Sequence, residues 1–272
     1  MSRIARSTST MIAAVSQCRM PHPHRTMSAV AVLVVCMMPA AGVSVSHAAP
    51  DVAGTPTATL PPMSRLPSGA ECASTLHRDD WEPRPENAKA NHTVPPSPVS
   101  LPPWPDYFDA RVNTDIVPRI DGQFEGTTDE IIRWAACKWG FDAQLVRAVA
   151  VDESYWRQDK EGDFENDQDL CVGSYTSPCP TSFGLVQVKA TYRPGSYPYS
   201  QLSTSFNVDY GLAAIRACFE GWVLYLKDPD YGPGDVWGCL GWHFSGYWKD
   251  DLASHYVERV QNILSSEPWR SW

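Results

Sequence analysis

The chain has 272 residues, 22 basic against 31 acidic side chains, and a net charge of −9 at neutral pH. Binding a polyphosphate or an anionic lipid surface calls for a basic footprint, so this balance excludes nucleic acid as the expected partner. The length allows one or two domains, and one of ordinary size is enough to bury a sizeable core.

In chain order, the first element reads as an export signal over residues 1–48. Arg3, Arg6, Arg19 and Arg25 all precede the first carboxylate, Asp51, and an apolar run from Ala29 to Met38 ends at Pro39. Ser46-His47-Ala48 then offers small residues at the −3 and −1 positions of a cleavage site. The run is too short for a comfortable membrane span, so no stable membrane insertion is expected after cleavage. The basic region is long enough that translation starting at Met20 or Met27 would leave an ordinary signal. Cleavage leaves 18 basic against 31 acidic residues, a net charge of −13.

Six cysteines follow: Cys72, Cys137, Cys171, Cys179, Cys218 and Cys239. An even number in an exported chain favours disulfides, and six cysteines allow 15 pairings. Cys171 with Cys179, closing a Gly/Ser/Pro-containing loop, is the local pairing expected. No CxxC pair or histidine spacing supports zinc, and neither a metal ion nor a cofactor is expected.

Fourteen of the 24 prolines fall between Pro50 and Pro118. Runs such as Leu60-Pro61-Pro62 and Val94-Pro95-Pro96-Ser97-Pro98 favour extended polyproline segments, so residues 49–113 read as a mostly disordered tether. Cys72 and Trp81 are the residues in it that can dock on a domain. Residues 114–272 form the single globular unit, mainly α with room for a small β hairpin near residues 171–190.

The spacing predicts a helix over 128–139, with Thr127 and Glu130 as its capping box and Gly140 as its stop. A second helix follows from the cap Asp142 to Tyr155, its buried face marked by Leu145, Val146, Val149 and Ala150. Residues 157–181 are acidic and read as a long surface loop. A third helix is expected over 204–226, and two more near 236–242 and 252–264. Acidic residues stand at every second position from Asp159 to Asp169. Such oxygen spacing raises calcium, but the EF-hand glycine and terminal glutamate do not fit, and a solvated acidic loop is expected.

Glu153 is the residue whose position points to chemistry. It sits near the carboxyl end of an apolar helix, before Tyr155 and Trp156. The negative end of the helix dipole and apolar surroundings both raise a carboxyl pKa, which is what a general acid on a glycosidic oxygen requires.

The neighbourhood then carries a resemblance. Ala136-Cys137-Lys138-Trp139-Gly140-Phe141-Asp142 through Ala150, followed by Glu153-Ser154, resembles the helix–turn–helix entry of the soluble lytic transglycosylases, which ends in a Glu-Ser pair. Ser182-Phe183-Gly184-Leu185-Val186-Gln187-Val188, with Thr191, is similar to that family's Gly-Leu-Met-Gln segment. Asn207 to Gly211 resembles its Asn-x-x-x-Gly helix start, and Tyr256 to Val260 its closing helix. The resemblance implies a lysozyme-like fold and a monomer acting on peptidoglycan glycan strands. Glu153 would protonate the bond between N-acetylmuramic acid and N-acetylglucosamine. The same carboxylate would then help the muramoyl C6 hydroxyl close a 1,6-anhydro ring, without the second carboxylate of a two-carboxylate glycosidase.

The resemblance also implies that Ser154 bonds near Glu153 or the substrate, although a helix-terminal serine can equally satisfy a carbonyl. It places Ser182 beside the cleft, Gln187 on a sugar amide, and Gly184 where the backbone approaches the glycan. The family's Tyr-Asn pair is missing. Trp242 or His243, in Gly241-Trp242-His243-Phe244-Ser245-Gly246, stands in that stretch, and its aromatics are equally core candidates. The acidic insert between Glu153 and Gly184 leaves a water-using muramidase of the same fold as the alternative. A peptidoglycan-binding protein without catalysis is the other.

Overall fold

In a computed structural model the described residues are 58–272; the expected export signal and residues 49–57 lie outside them. The described part is mainly helical, with one small antiparallel sheet. Helices α1 (Gly69–Thr75) and α2 (Ala88–Asn91) precede a helical pair, α3 (Thr128–Trp139) and α4 (Ala143–Ser154). Strands β1 (Glu161–Glu165), β2 (Cys179–Phe183) and β3 (Val188–Lys189) form a sheet in that order. Then come α5 (Tyr199–Leu202), α6 (Thr204–Phe219), α7 (Val236–Ser245) and α8 (Asp251–Ser266). No helix among the described residues is long and apolar enough to cross a membrane.

The local signals at α3 and α4 act as the sequence suggests. The Thr127 hydroxyl accepts from the Glu130 amide while the Glu130 carboxylate accepts from the Thr127 amide, and Gly140 stops α3 in the left-handed region. Asp142 caps α4 by accepting from the Gln144 amide. Gly140 also brings Leu60 and Leu66 close enough that a Cβ there would lie 2.9 Å from Leu66. The helix expected over 204–226 is shorter. It stops at Phe219, since Gly221 takes φ +81°, and Val223 then pairs as an isolated bridge with Phe108.

The acidic stretch is not the long loop expected. Its first half is β1, hydrogen-bonded in register with β2 from Glu161↔Phe183 to Glu165↔Cys179. Side chains two apart on a strand share a face, which gives the alternation of acidic residues a structural reason. Cys171 and Cys179 are joined at the loop end of this hairpin, as expected, and Cys72–Cys137 and Cys218–Cys239 complete three disulfides. Three disulfides fit an oxidising compartment.

The core between α3 and α6 is organised around a fully buried carboxylate. Asp209 accepts from Lys138 Nζ at 2.8 Å, Trp139 Nε1 at 2.7 Å, and the backbone amides of Asp121 and Gly122 at 2.9 Å each. A second hub, Asp129, is held by Arg133 on its own helix and by Arg147 of α4. Removing one partner of a buried ion pair strands the other charge, so Asp209→Ala is expected to cost about 3–5 kcal/mol. Urea unfolding checks this; a loss under roughly 1 kcal/mol, the scale of a surface pair, would contradict it.

Residues 58–113 correct the expectation of a disordered tether. They wrap the helical unit, and their polar groups find partners on it. The carbonyls of Leu60 and Pro61 accept from Arg216, the Met63 amide donates to Glu220, and Pro67 O accepts from Arg119. The Glu82 carboxylate accepts from the Thr128 amide at 2.7 Å, at the start of α3. Burial holds Glu82 above the usual carboxylate range. Asn87 bridges Thr128, the Trp156 carbonyl and the Gln158 amide. Trp104 and Phe108 are buried in the main core. Extended, proline-rich chain lacks internal hydrogen bonds, and it is ordered here because arginines of the domain take up its carbonyls.

Candidate active site

Glu153 occupies the second-last position of α4, partly buried. The helix ends beyond it with Tyr155 and Trp156 both at positive φ, 58° and 63°. Their amides close onto the Val151 and Ala150 carbonyls, which ends the helix and turns the chain sharply away. Of the two aromatic residues after the helix Tyr155 is exposed and Trp156 serves the core, fully buried with its Nε1 donating to the Arg147 carbonyl.

One oxygen of Glu153 is held. Tyr256, brought from α8, donates its hydroxyl to Oε1 at 2.6 Å. Oε2 has no hydrogen-bond partner among the described residues. Phe244 of α7 lies flat on Tyr256, centroids 4.6 Å apart at 12°. The neighbouring Asp152 is gripped by both arms of Arg259, at 2.9 and 2.8 Å, which locks α4 to α8 beside the site. Burial pushes the Glu153 carboxyl up to about 8; the Tyr256 hydroxyl opposes this, and the negative charges of Asp152 and Asp163 add to it. Such a carboxyl carries its proton at neutral pH and can deliver it.

Tyr256 is a site residue that sequence reasoning missed. It entered only as part of a helix resemblance, 103 residues from Glu153. A tyrosine pointing from one helix onto the end of another leaves no local signal. Because its hydroxyl favours the ionised carboxyl, Tyr256→Phe is expected to raise the Glu153 pKa further. In an activity profile the alkaline limb would then move to higher pH, with a lower plateau. An alkaline limb at the same pH in both proteins would show that the Tyr256–Glu153 bond does not tune the acid.

The other expected residues fall into two groups. Ser182 and His243 are each linked to Asp163, whose charge also acts on Glu153. Ser182 donates to Asp163 Oδ2 at 2.6 Å, and Asp163, held also by Lys189 at 3.5 Å, exerts its charge on both Glu153 and His243. His243 faces the Val186 carbonyl through Nε2 at 3.0 Å. With that nitrogen donating, Nδ1 is a lone-pair acceptor, buried and without a partner. Burial, with Arg193 adding to it, pushes His243 down to about 4, so it is neutral at neutral pH.

The remaining four are committed to contacts within the fold. Ser154 is buried and donates to the Ala150 and Leu185 carbonyls, tying the end of α4 to the segment after β2. Gly184, expected at the glycan face, points inward instead. Its φ is +79°, and a Cβ there would meet Asn207 Nδ2 at 2.3 Å. Gln187, expected on a sugar amide, turns its Nε2 back onto the Gly184 and Lys160 carbonyls. Trp242 is a core residue, 2% exposed, whose Nε1 donates to the Tyr225 hydroxyl. Asn207 accounts for much of this: it donates to the Phe183 and Ser200 carbonyls and accepts from the Val186 amide, fixing the turn between β2 and β3.

Among the described residues no group of three or more His, Cys, Asp or Glu side chains is placed to hold a metal ion. Asp159 pairs with Arg157, Asp163 and Glu165 with Lys189, and Asp167 caps a turn by accepting from the Asp169 amide. What the arrangement offers is a protonated carboxyl with one oxygen anchored, a second carboxylate whose charge reaches it, and the stacked Phe244–Tyr256 pair beside it. No protein-family model matches this chain, and no curated protein or solved structure matches it either.

Proposed function

We propose that the protein is an exported peptidoglycan lytic transglycosylase of lysozyme-like fold, with Glu153 as its general acid and then its base. The observation that carries the reading is the state of Glu153: its pKa is raised to about 8, Oε1 is held by Tyr256 at 2.6 Å, and Oε2 has no protein partner among the described residues. A glycosidic oxygen needs a proton from a group that holds one at working pH and releases it as the bond breaks. Once ionised, the same carboxylate, still held by the Tyr256 hydroxyl, accepts the proton of the muramoyl C6 hydroxyl as that oxygen attacks C1. The order of motifs along the chain and the three disulfides are consistent with a cell-wall enzyme acting outside the cytoplasm.

A second reading has its own observation. Asp163 lies close enough for its charge to act on Glu153, and it belongs to the acidic insert. A second carboxylate that positions water would make the protein a muramidase. Mass spectrometry of the soluble products of peptidoglycan digestion separates the two. Products lighter than the hydrolysis products by one water favour the transglycosylase. Reducing ends favour Asp163 as the base. Folded protein that binds wall and releases nothing would leave a binding role and overturn both.

A further inference from the structure

The loop after α6 and the turn between α7 and α8 enclose a hollow of about 580 Å³, the size of an ordinary small-molecule site. Tyr225, Tyr247 and Trp248 supply its rings, and Lys227, Asp228 and Asp250 stand with them in its wall. None of these residues bonds Glu153 or Tyr256, so the proposed cleavage does not account for the hollow.

The rings are displayed and their supports are fixed. Tyr225 is 43% exposed, yet its hydroxyl accepts from Trp242 Nε1 at 2.6 Å and donates to the Gly246 carbonyl at 2.9 Å. Tyr247 is 68% exposed, and its amide and carbonyl are both bonded to the Ser245 hydroxyl, at 3.1 and 3.2 Å. Among the described residues its ring and its own hydroxyl have no hydrogen-bond or ring partner. Trp248 is braced edge-on by Tyr231, centroids 4.8 Å apart at 69°. Tyr225 and Trp248 are therefore in place before anything binds, which lowers the cost of ordering them.

The charged groups decide what fits. Asp228 and Asp250 each spend Oδ1 on a backbone amide, that of Asp230 at 2.9 Å and that of Ala253 at 2.8 Å. Among the described residues Oδ2 of each, and the Lys227 ammonium, have no hydrogen-bond or ion-pair partner. An apolar side chain laid on the rings would strip water from these charges and return no bond. An anion would meet two carboxylates for one ammonium. A pyranose satisfies both kinds of group: its C–H face lies on an aromatic ring, and the hydroxyls at its edge donate to carboxylate oxygens. We infer that this hollow is a second glycan-binding site, separate from the cleavage site, which takes the neutral N-acetylglucosamine units of the strand. The choice of glycan rests on the peptidoglycan reading. The site then keeps the enzyme on the wall between cleavages.

The test titrates a soluble N-acetylglucosamine tetramer into isotope-labelled Glu153→Gln protein and follows amide chemical shifts. Saturable shifts are expected at Tyr247, Trp248 and Asp228. Tyr247→Ala and Asp228→Ala, each read at Trp248, are expected to raise the midpoint about threefold to tenfold, the scale of one aromatic or polar contact. Both residues are exposed or at the surface of a loop, and unchanged shifts elsewhere report that each variant is folded. No saturable shift at these amides, or an unchanged midpoint in Tyr247→Ala, would overturn the site. An unchanged midpoint in Asp228→Ala would give the rings to an apolar partner and overturn the sugar. Wild-type digestion of peptidoglycan, run in parallel, separates the two readings. Cleavage without the shifts would overturn the hollow and leave Glu153 untouched, whereas the shifts without cleavage would support the hollow and overturn the cleavage reading.

Discussion

Glu153→Gln is expected to lower glycan cleavage by roughly 10²–10⁴-fold, the range that a positioned acid or base contributes. The amide keeps the volume and can still accept the Tyr256 hydroxyl, so wall binding should persist. Cleavage at the wild-type rate would sink the assignment. Stability supplies a second, opposite readout. The Glu153 pKa is about 8 in the fold against an ordinary value of 4.5. The unfolded chain therefore releases this proton first as pH rises. Folding is penalised progressively between about pH 4.5 and 8, and no penalty applies below that window. Glu153→Gln removes the penalty, so the variant should unfold at a higher temperature than the wild type at pH 8 and at a similar one at pH 4. A residue that gains stability and loses function on the same change is held for its chemistry.

Removing residues 58–113 is expected to abolish cooperative folding of the remainder. The cut deletes one half of Cys72–Cys137, which spans 65 residues. On the chain-entropy account that crosslink alone contributes about 4 kcal/mol, against a usual total of about 5–15 kcal/mol. It also exposes the amino end of α3 by taking away Glu82, and it leaves Arg216 without the Leu60 and Pro61 carbonyls. Thermal melts followed by circular dichroism compare the chain from residue 49 with the chain from residue 114. The double change Cys72→Ser with Cys137→Ser keeps the wrap and loses only the crosslink, so it should fall between them. An unchanged transition in the chain from residue 114 would return the segment to the status of a linker.

The sequence was most legible where a local rule decides the outcome. Thr127 with Glu130, Gly140 and Asp142 mark the ends of α3 and α4 because capping involves residues within a turn of each other. Glu153 was legible for the same reason, since a helix end and its apolar flanks are local. The wrap was not legible, because proline content reports the absence of internal hydrogen bonds and says nothing of arginines such as Arg119 and Arg216, 52 and 156 residues from the carbonyls they hold. Gly184 and Gln187 were found as a motif, yet their contacts are with Asn207, Gln158 and backbone carbonyls, which only the folded turn brings near.

The bond between Tyr256 and Glu153 closes 103 residues of chain, so the proposed acid is assembled across a long span of sequence. A nascent or translocating chain carries Glu153 as an ordinary carboxylate, ionised at neutral pH and no better an acid than any other. Long-range contacts of this kind form slowly and late. The burial that keeps the proton on Glu153 is therefore complete only when α8 docks against α4 and α7, and on the proposed reading reactivity is timed by completion of the fold. On that reading a chain stalled before α8, or trapped with it undocked, lacks its acid however well its first half has folded.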